Sequence, residues 1–282
     1  MKKTALILPL LLAAALLPCR AQLSVALHGG ATLPQGFYAD SRMSDNEWML
    51  AEGHQHKAGA GRGWSAGIDI AYAIPALPDL EALLSASFMQ SPVADDVQEY
   101  YNLKFTQRYR SCPYYEMQLP SYRNIPILLG IRYGYPLGGI FRFYGEALAG
   151  LNIRMITDWT MAYSAPGWPQ GTQSTLDDYS NTDLRTYSRA TTFAFRLGAG
   201  FLIKDIAKCP LDFRLGASYN ILGAAPLSWD RTTATRYSLL GSITEYTDTK
   251  HVDYTDINPT LISIELGISI KPFGASRNVQ DW

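Results

Sequence analysis

The first residues to consider are those that could bind a metal ion. His54 and His56 are two residues apart in one polar segment, and His251 precedes Asp253 and Asp256 in another. Two histidines without a third ligand at a fixed spacing do not define a zinc site, which takes three or four protein ligands. A solvated loop is therefore the preferred interpretation of both segments, and we predict no metal site and no cofactor.

Paired acidic residues raise the question of an enzyme. Asp95-Asp96 and Asp177-Asp178 could bind calcium or serve a hydrolase. Neither pair is accompanied by a spacing typical of a nucleophile and its general base. We therefore predict a non-enzymatic protein and keep an enzyme with its active site in the loops as an alternative.

The segment from Ile140 to Met155 carries three charges, Arg142, Glu146 and Arg154, among apolar and small residues. Successive side chains of a strand point to opposite faces. At that period every charge falls on one face, and the other face holds no polar residue. A helix would bury glycines in its interior, where they weaken it. The spacing therefore predicts a β-strand.

Seven further segments show the same alternation between an apolar face and a face of charged or small residues, and the connections between them alternate between long and short. An even number of antiparallel strands, with short turns at one end and long loops at the other, is the plan of an outer-membrane barrel. The sequence thus predicts an all-β fold, an eight-stranded antiparallel up-and-down transmembrane β-barrel with long extracellular loops. The seven segments are 22–30, 64–74, 80–88, 124–135, 192–204, 211–221 and 262–270.

The charged faces decide which side of such a barrel meets lipid. A soluble ligand-binding barrel encloses its apolar face, whereas a membrane barrel turns that face outward. Glycines cluster with the charges, as a crowded interior requires, so the membrane barrel is preferred over the soluble one. Eight strands enclose a space only just wide enough for side chains, which predicts a plugged polar lumen, with a small gated channel as the alternative. The predicted lumen charge network is Asp69, Glu81, Arg132, Arg142, Glu146, Arg154, Arg196, Lys204, Asp212, Arg214 and Glu265.

The N-terminus has two lysines, an apolar run from Ala5 to Pro18, and small residues at the −3 and −1 positions, Cys19 and Ala21, of a cut after Ala21. This pattern is typical of a secretory signal peptide, with lipid attachment at Cys19 as the alternative. The net charge of −1 provides no basic patch for nucleic acid. We predict a signal peptide over 1–21, a barrel over 22–273 surrounded by outer-membrane lipid, and a periplasmic tail over 274–282, with both termini of the mature chain in the periplasm.

The long loops are rich in aromatic residues, which are common binding anchors. Function often resides in loops held by a rigid scaffold. The alternative is that these loops extend the strands as a β crown above the membrane. Cys112 and Cys209 belong to opposite ends of the predicted barrel, so we expect no disulfide between them. The candidate binding residues are Trp48, Tyr100, Tyr114, Trp168 and Trp229.

The segments NIPILLGIRYGY and GGIFRFYGEALAGLNI resemble Bacteroidetes outer-membrane β-barrel families, among them PorT-like and OmpA-like eight-stranded barrels. The matching features are the Ile125-Pro126 pair that opens a strand and the run from Tyr144 to Gly150, within about residues 118–155. PorT-like relatives imply a part in protein export across the outer membrane, with partners in an export assembly. An external ligand is the alternative. The last strand departs from the pattern, because Pro272 stands where an aromatic residue is expected.

Overall fold

The computed structural model describes residues 23–41, 58–108, 114–166, 176–204, 211–239 and 242–271. The predicted signal peptide and tail lie outside the described residues, as do Cys112, Cys209, His54 and His56. None of the helices in the described part of the chain is long and apolar enough to cross a membrane.

Thirteen strands and two short helices make up the described chain. Their bounds are β1 (Leu23–Pro34), α1 (Gly36–Ala39), β2 (Gly63–Ile74), β3 (Leu77–Pro92), α2 (Asp95–Arg108), β4 (Tyr114–Gln118), β5 (Ser121–Gly138), β6 (Phe141–Ile156), β7 (Trp159–Pro166), β8 (Leu176–Tyr187), β9 (Ala190–Ile203), β10 (Leu211–Ile221), β11 (Ala225–Leu239), β12 (Ser242–Ile257) and β13 (Thr260–Ile270).

Eight of these strands form a closed antiparallel barrel in the order β1-β2-β3-β5-β6-β9-β10-β13, and β1 closes it by pairing with β13. Each of the eight predicted segments corresponds to one of these strands, with described bounds that agree to within one residue where the prediction overruns a strand, so the predicted eight-stranded up-and-down barrel is confirmed. We call the end with the short β2–β3 and β5–β6 turns the inner end, and the opposite end the outer end. These names follow the orientation predicted for the termini.

The barrel exterior is an apolar surface, because the strands alternate as the sequence predicts. In β5, Leu129 is 65% exposed while its neighbour Leu128 is 1% exposed. Leu27, Leu197 and Leu266, on three other strands, are also exposed on this surface. A soluble monomer rarely shows a continuous apolar patch of more than a few hundred Å², and a closed barrel leaves no unpaired strand edge for lipid to meet. The exterior therefore suits hydrocarbon, as in outer-membrane barrels.

The other five strands form a second sheet at the outer end, in the order β12-β11-β8-β7-β4, which we call the crown. Barrel strands run into it through short links, such as residues 157–158 between β6 and β7 and residues 258–259 between β12 and β13. The crown alternative for the loops is therefore present in the structure, built from segments of three loops.

The largest side chains of the hydrophobic core lie at the outer end, between the barrel mouth and the crown. Tyr38 of α1 and Val97 of α2 contribute to it, so both helices help to close the mouth. Tyr38 and Tyr122 meet edge to face, with ring centroids 5.4 Å apart. We call this buried layer the outer plug; its largest side chains are Tyr38, Met89, Tyr101, Tyr122, Trp159, Tyr187 and Trp229.

Candidate functional site: the closed lumen and its crown

The barrel interior holds a cluster of buried charged side chains at mid-height. Seven of the eight barrel strands contribute one residue each, because each places its polar face inward. Every member is buried. We call this group the central cluster; it comprises His28, Asp69, Arg132, Glu146, Arg196, Arg214 and Glu265.

Glu146 is shared by two arginines. Its Oε2 accepts hydrogen bonds from Arg132 Nε at 3.0 Å and Arg132 Nη2 at 2.8 Å. Its Oε1 lies 3.1 Å from Arg196 Nε. Two guanidinium groups thus share one carboxylate on β6, in a space from which water is largely excluded. A buried charge is tolerated only when it is paired in this way.

Asp69 and Glu265 complete the pairing around the barrel wall. Arg196 Nη2 donates to Glu265 Oε2 at 2.7 Å, and Arg132 Nη2 donates to Asp69 Oδ2 at 3.3 Å. Arg214 donates to the same Asp69 oxygen. Three guanidinium groups therefore face three carboxylates, and the cluster is balanced in charge before His28 is counted.

His28 joins two carboxylates across the line where the barrel closes. Its Nε2 lies 3.3 Å from Asp69 Oδ1, and its Nδ1 lies 3.2 Å from Glu265 Oε2. His28 belongs to β1, Asp69 to β2 and Glu265 to β13. One imidazole thus links the first strand of the barrel to its last.

Glycines make room for these side chains. A Cβ built on Gly198 would lie 2.8 Å from Glu146 Oε1, and one on Gly216 would lie 1.9 Å from the hydroxyl oxygen of Tyr144. Tyr144 lies in turn beneath Arg132, whose Cζ is 5.2 Å from the ring centroid. Side chains fill the interior so closely that even a methyl group would collide at these positions. The expectation of small neighbours beside the lumen charges agrees with this packing.

Four of the predicted lumen residues lie nearer the inner end. Lys204 Nζ and Glu81 Oε1 are 3.5 Å apart, and Glu81 Oε2 is 3.7 Å from Arg132 Nη1, which connects this pair to the central cluster. Asp212 pairs with Lys271 at 3.2 Å. Arg142 instead donates to Asp79, a residue that the sequence prediction left out. These pairs are partly exposed and surround the inner mouth.

Arg154 corrects the prediction that all eleven charges form one network. It lies at the outer end, where Nη1 donates to the carbonyl of Ile257 at 3.0 Å and Nη2 donates to the carbonyls of Ala225 and Pro226 at 3.1 and 2.8 Å. Alternation predicted correctly that Arg154 faces inward, but not its height in the barrel. Its hydrogen-bond partners there are carbonyls at the ends of two crown strands, so it secures the crown to the barrel.

The guanidinium group of Arg185, on the crown strand β8, stacks on tryptophan rings of the crown. The Arg185 guanidinium carbon is 3.5 Å from the centroid of the Trp159 ring and 5.9 Å from that of Trp229. Burial lowers the pKa of Arg185, with Tyr187 and Asp183 opposing that effect. Burial also raises the pKa of Tyr187. Such stacking can contribute about 2 kcal/mol when the cation is removed from water. The stacked Arg185 and Trp159 therefore stabilise the crown layer that covers the outer mouth of the barrel.

The structure corrects one of the candidate binding residues. Trp229 is buried, with its ring centroid 5.9 Å from that of Tyr187, because it lies on the crown face that covers the barrel mouth. Tyr100 is half-buried in α2, 6.0 Å from the ring of Tyr101. Tyr114 opens β4, and its side chain lies outside the described residues, as do Trp48 and Trp168 altogether.

Three members of the lumen arrangement are absent from the predicted network, namely His28, Asp79 and Lys271. His28 lies in a segment whose alternation is weak, but its inward parity relative to Ala26 and Thr32 was a usable signal. Asp79 lies two residues into β3, next to the turn, where alternation gives little guidance.

Two cavities that are lined by described residues open at the outer end. The larger, of about 720 Å³, lies among Ser41, Arg62, Asp95 and Asp96, and Ser41 donates to Asp96 across it. The smaller, of about 390 Å³, lies beside Phe37 and Tyr219. Within the described ranges, no group of three His, Cys, Asp or Glu residues is placed to hold a metal ion.

No family model matches the chain, and no curated protein matches it. Solved structures with a similar fold include Neisserial surface protein A (13% identity, 89% of this chain and 97% of that chain, TM-score 0.39). A major outer membrane protein from Thermus thermophilus is 10% identical over 88% of this chain and 98% of that one, with a TM-score of 0.40. OprG from Pseudomonas aeruginosa is 14% identical over 89% of this chain and 97% of that one, with a TM-score of 0.37.

Proposed function

We propose that this chain is an integral outer-membrane barrel with a closed lumen, which acts through its crown at the cell surface and has no catalytic activity. The observation that carries the proposal is the filling of the lumen at two heights. The central cluster occupies the middle of the barrel, and the outer plug occupies its outer end. An ion would have to displace both layers to cross.

The central cluster supports the closed lumen over a gated channel. Opening a path would separate Glu146 from Arg132 or Arg196 and leave a charge without its partner inside the barrel. Breaking one side of a buried ion pair costs about 3–5 kcal/mol. Since an eight-stranded barrel has no spare width, the side chains also have no space into which to withdraw.

Conductance in a planar bilayer tests the closed lumen. We expect the purified protein to show no steady current, and the same result for Glu245→Ala, which removes an exposed crown charge paired with Arg236. A double variant, Arg132→Ala with Glu146→Ala, removes an ion pair together with its side-chain volume, and short openings should appear. A large steady open state of the unmodified protein would contradict the proposal.

The crown supports a role in surface binding. β12 is an edge strand of this sheet, and its Tyr246 is 61% exposed; Ile243 of the same strand is also exposed. Exposed aromatic side chains on a rigid sheet lose little conformational freedom on binding, and they are frequent binding anchors. The described part of the chain thus offers β12, rather than Trp229, as the contact surface for a partner outside the cell.

A part in protein export follows from the PorT-like resemblance and shares this surface. A photo-reactive amino acid at position 246, in cells that make the full chain, tests both roles. Tyr133 is exposed on the lipid-facing exterior and provides the matched control position. Adducts with secretion-machinery subunits at position 246 would support export, and adducts with an extracellular molecule would support independent binding. Equal, background-level labelling at both positions would refute a binding role for β12.

A further inference from the structure

The crown has an open edge along β12. The strand order of the crown is β12-β11-β8-β7-β4, so the part of the chain that the structure describes places no strand on the other side of β12. Residues 242–252 pair with β11 without a break in register. An edge of this kind presents a regular row of backbone N–H and C=O groups, on which another strand can pair.

The half of β12 nearer the β11–β12 turn is exposed on both faces of the sheet. Ile243 is 59% exposed on one face, and Tyr246 is 61% exposed on the other. The half nearer the barrel differs, since Ile257 is buried in the hydrophobic core. The exposed half therefore stands clear of the core that covers the barrel mouth, and a second strand has room to approach its edge.

One face of β12 is complementary to itself when the strand is reversed. Its residues are, in order, Tyr246, Asp248, Lys250 and Val252. Residues directly opposite each other in an antiparallel pair share a face. A second β12 centred on Thr249 would therefore set Asp248 opposite Lys250, and each such pair would occur twice. The same register sets Tyr246 opposite Val252. Opposite charges, and an aromatic residue against a β-branched one, are favourable cross-strand pairs.

Charge also selects this register over its neighbours. A shift by two residues is the smallest that keeps the faces matched. In one direction it would place Asp248 opposite its own copy, and in the other direction Lys250 opposite its own copy, which is unfavourable. Further along the strand, Glu245 would face Asp253. Arg236, whose Nε lies 3.5 Å from Glu245 Oε1, offsets that like-charged pair.

Lys250 has a basic neighbour on β11. Arg231 lies directly opposite it, and Arg231 Nη2 is 2.6 Å from Asp183 Oδ2 on β8. Lys250 Nζ is 3.5 Å from Asp248 Oδ2 of its own strand, and both side chains are exposed. A lysine on an edge strand commonly discourages pairing, but a carboxylate opposite it removes that obstacle. Asp248 of a second copy supplies this carboxylate.

We propose that the partner of β12 is a second copy of this chain, and that residues 246–252 of the two copies join the crowns into one antiparallel sheet. The contact is two-fold symmetric, as in most homodimers. This inference rests on the proposed surface role of the crown and names its partner. Because the two β12 strands run in opposite directions, the two barrels lie at opposite ends of the joined strands.

Disulfide trapping of the full mature protein in detergent micelles tests the pairing. Cys112 and Cys209 are first replaced by serine, and Thr249→Cys then places one thiol on the two-fold axis. Opposite Cα atoms in an antiparallel pair are about 4.5–5.5 Å apart, which a disulfide can span. Under mild oxidation, Thr249→Cys should give about tenfold more linked dimer than Ile243→Cys.

Ile243→Cys is the matched control, because Ile243 is exposed on the same face of β12 as Thr249. In the proposed register its own copy lies twelve positions away along the strand, or about 40 Å. Dimers that form by random collision would link both variants equally. A Thr249→Cys yield no higher than that of Ile243→Cys would overturn the inference.

Charge reversal tests the register itself. In the Thr249→Cys protein, Lys250→Asp should lower the yield of dimer about tenfold, because two like-charged pairs replace two opposite ones. Adding Asp248→Lys restores opposite charges at both pairs and should restore the yield. The strand signal in circular dichroism checks the folding of each variant. A folded double variant that links as poorly as Lys250→Asp would contradict the proposed register.

The proposed function and this inference fail in different ways. If another molecule labels position 246 and Thr249→Cys yields no excess dimer, self-pairing is wrong and the surface role stands. If position 246 labels only at background and no excess dimer forms, both are wrong. The closed lumen depends on the central cluster and the outer plug, so the conductance assay is independent of either result.

Discussion

Replacement of Glu146 by alanine should destabilise the barrel more than any single loss of a surface charge. The carboxylate is contacted by Arg132 at 2.8 Å and Arg196 at 3.1 Å. In the variant, Arg132 keeps Asp69 at 3.3 Å and Arg196 keeps Glu265 at 2.7 Å. The central cluster would then hold three guanidinium groups and two carboxylates. The expected loss is about 3–5 kcal/mol, the cost of removing one partner from a buried ion pair.

Urea unfolding of the protein in detergent micelles measures this loss. With a slope of about 2 kcal/mol per molar urea, a loss of about 4 kcal/mol lowers the midpoint by about 2 M. Glu245→Ala is the matched control, because Glu245 pairs with Arg236 at 3.5 Å and both side chains are exposed. An exposed pair contributes about 1 kcal/mol or less, so its midpoint should move by no more than about 0.5 M.

A small shift for Glu146→Ala would refute the reasoning. If both variants unfold within about 0.5 M of the unmodified protein, the central cluster does not behave as a set of buried ion pairs. Water would then reach the arginines, and the closed lumen would lose its main support. A large shift in both variants would point to a global effect of lost acidic charge instead.

Three further predictions follow from other parts of the structure. Gly216→Ala should cost about 1–3 kcal/mol, because the new methyl group collides with the Tyr144 hydroxyl; adding Tyr144→Phe should recover much of that loss in the same urea assay. Leu129→Arg should lower the stability of the barrel in liposomes by about 2–4 kcal/mol, since its side chain meets hydrocarbon, whereas Leu103→Arg in α2 should be nearly neutral. Burial raises the pKa of Tyr187, so the contribution of this tyrosine to stability is full below its pKa in the unfolded chain and is lost as the pH rises above about 10. Tyr187→Phe should therefore reduce the fall of the urea midpoint at alkaline pH. A fall as large as that of the unmodified protein would contradict the burial of an un-ionised Tyr187.

The barrel was predictable from the sequence because alternation at period two is a local property. In β6, Phe141, Phe143 and Leu151 face out while Glu146 and Arg154 face in, and each residue's parity alone determines its side. The position of a residue along the barrel axis is not a local property of the sequence, since it depends on the register between neighbouring strands. Register places Glu146 opposite Arg132 and leaves Arg154 opposite Asn124, eight residues further along β6 and away from the carboxylates of the central cluster.

The crown could not be predicted in detail, because its strands come from separate loops. Trp229 was assigned to an exposed loop on composition, yet β11 pairs with β8 and sets Trp229 opposite Tyr187 on the covered face. That pairing joins residues about forty positions apart, and no local pattern encodes it. The smaller cavity at the outer end could not be predicted for the same reason, since α1, β10 and the link between β12 and β13, which line it, meet only in the folded chain.

The contact of His28 with Glu265 has a consequence for assembly of the barrel. β1 and β13 are the neighbouring barrel strands that lie furthest apart in the chain, and their pairing closes the sheet into a barrel. Until β1 and β13 pair, His28 and Glu265 each lack one of their partners, and these polar groups are exposed at the unpaired edges of the sheet. Closure of the barrel is thus favoured by electrostatics as well as by backbone pairing. Separation of β1 from β13 must break the contact between His28 and Glu265. The imidazole stabilises the pairing of β1 with β13. Barrels with a substituted His28 should therefore close more slowly, and separate between these two strands faster, than variants of equal stability elsewhere.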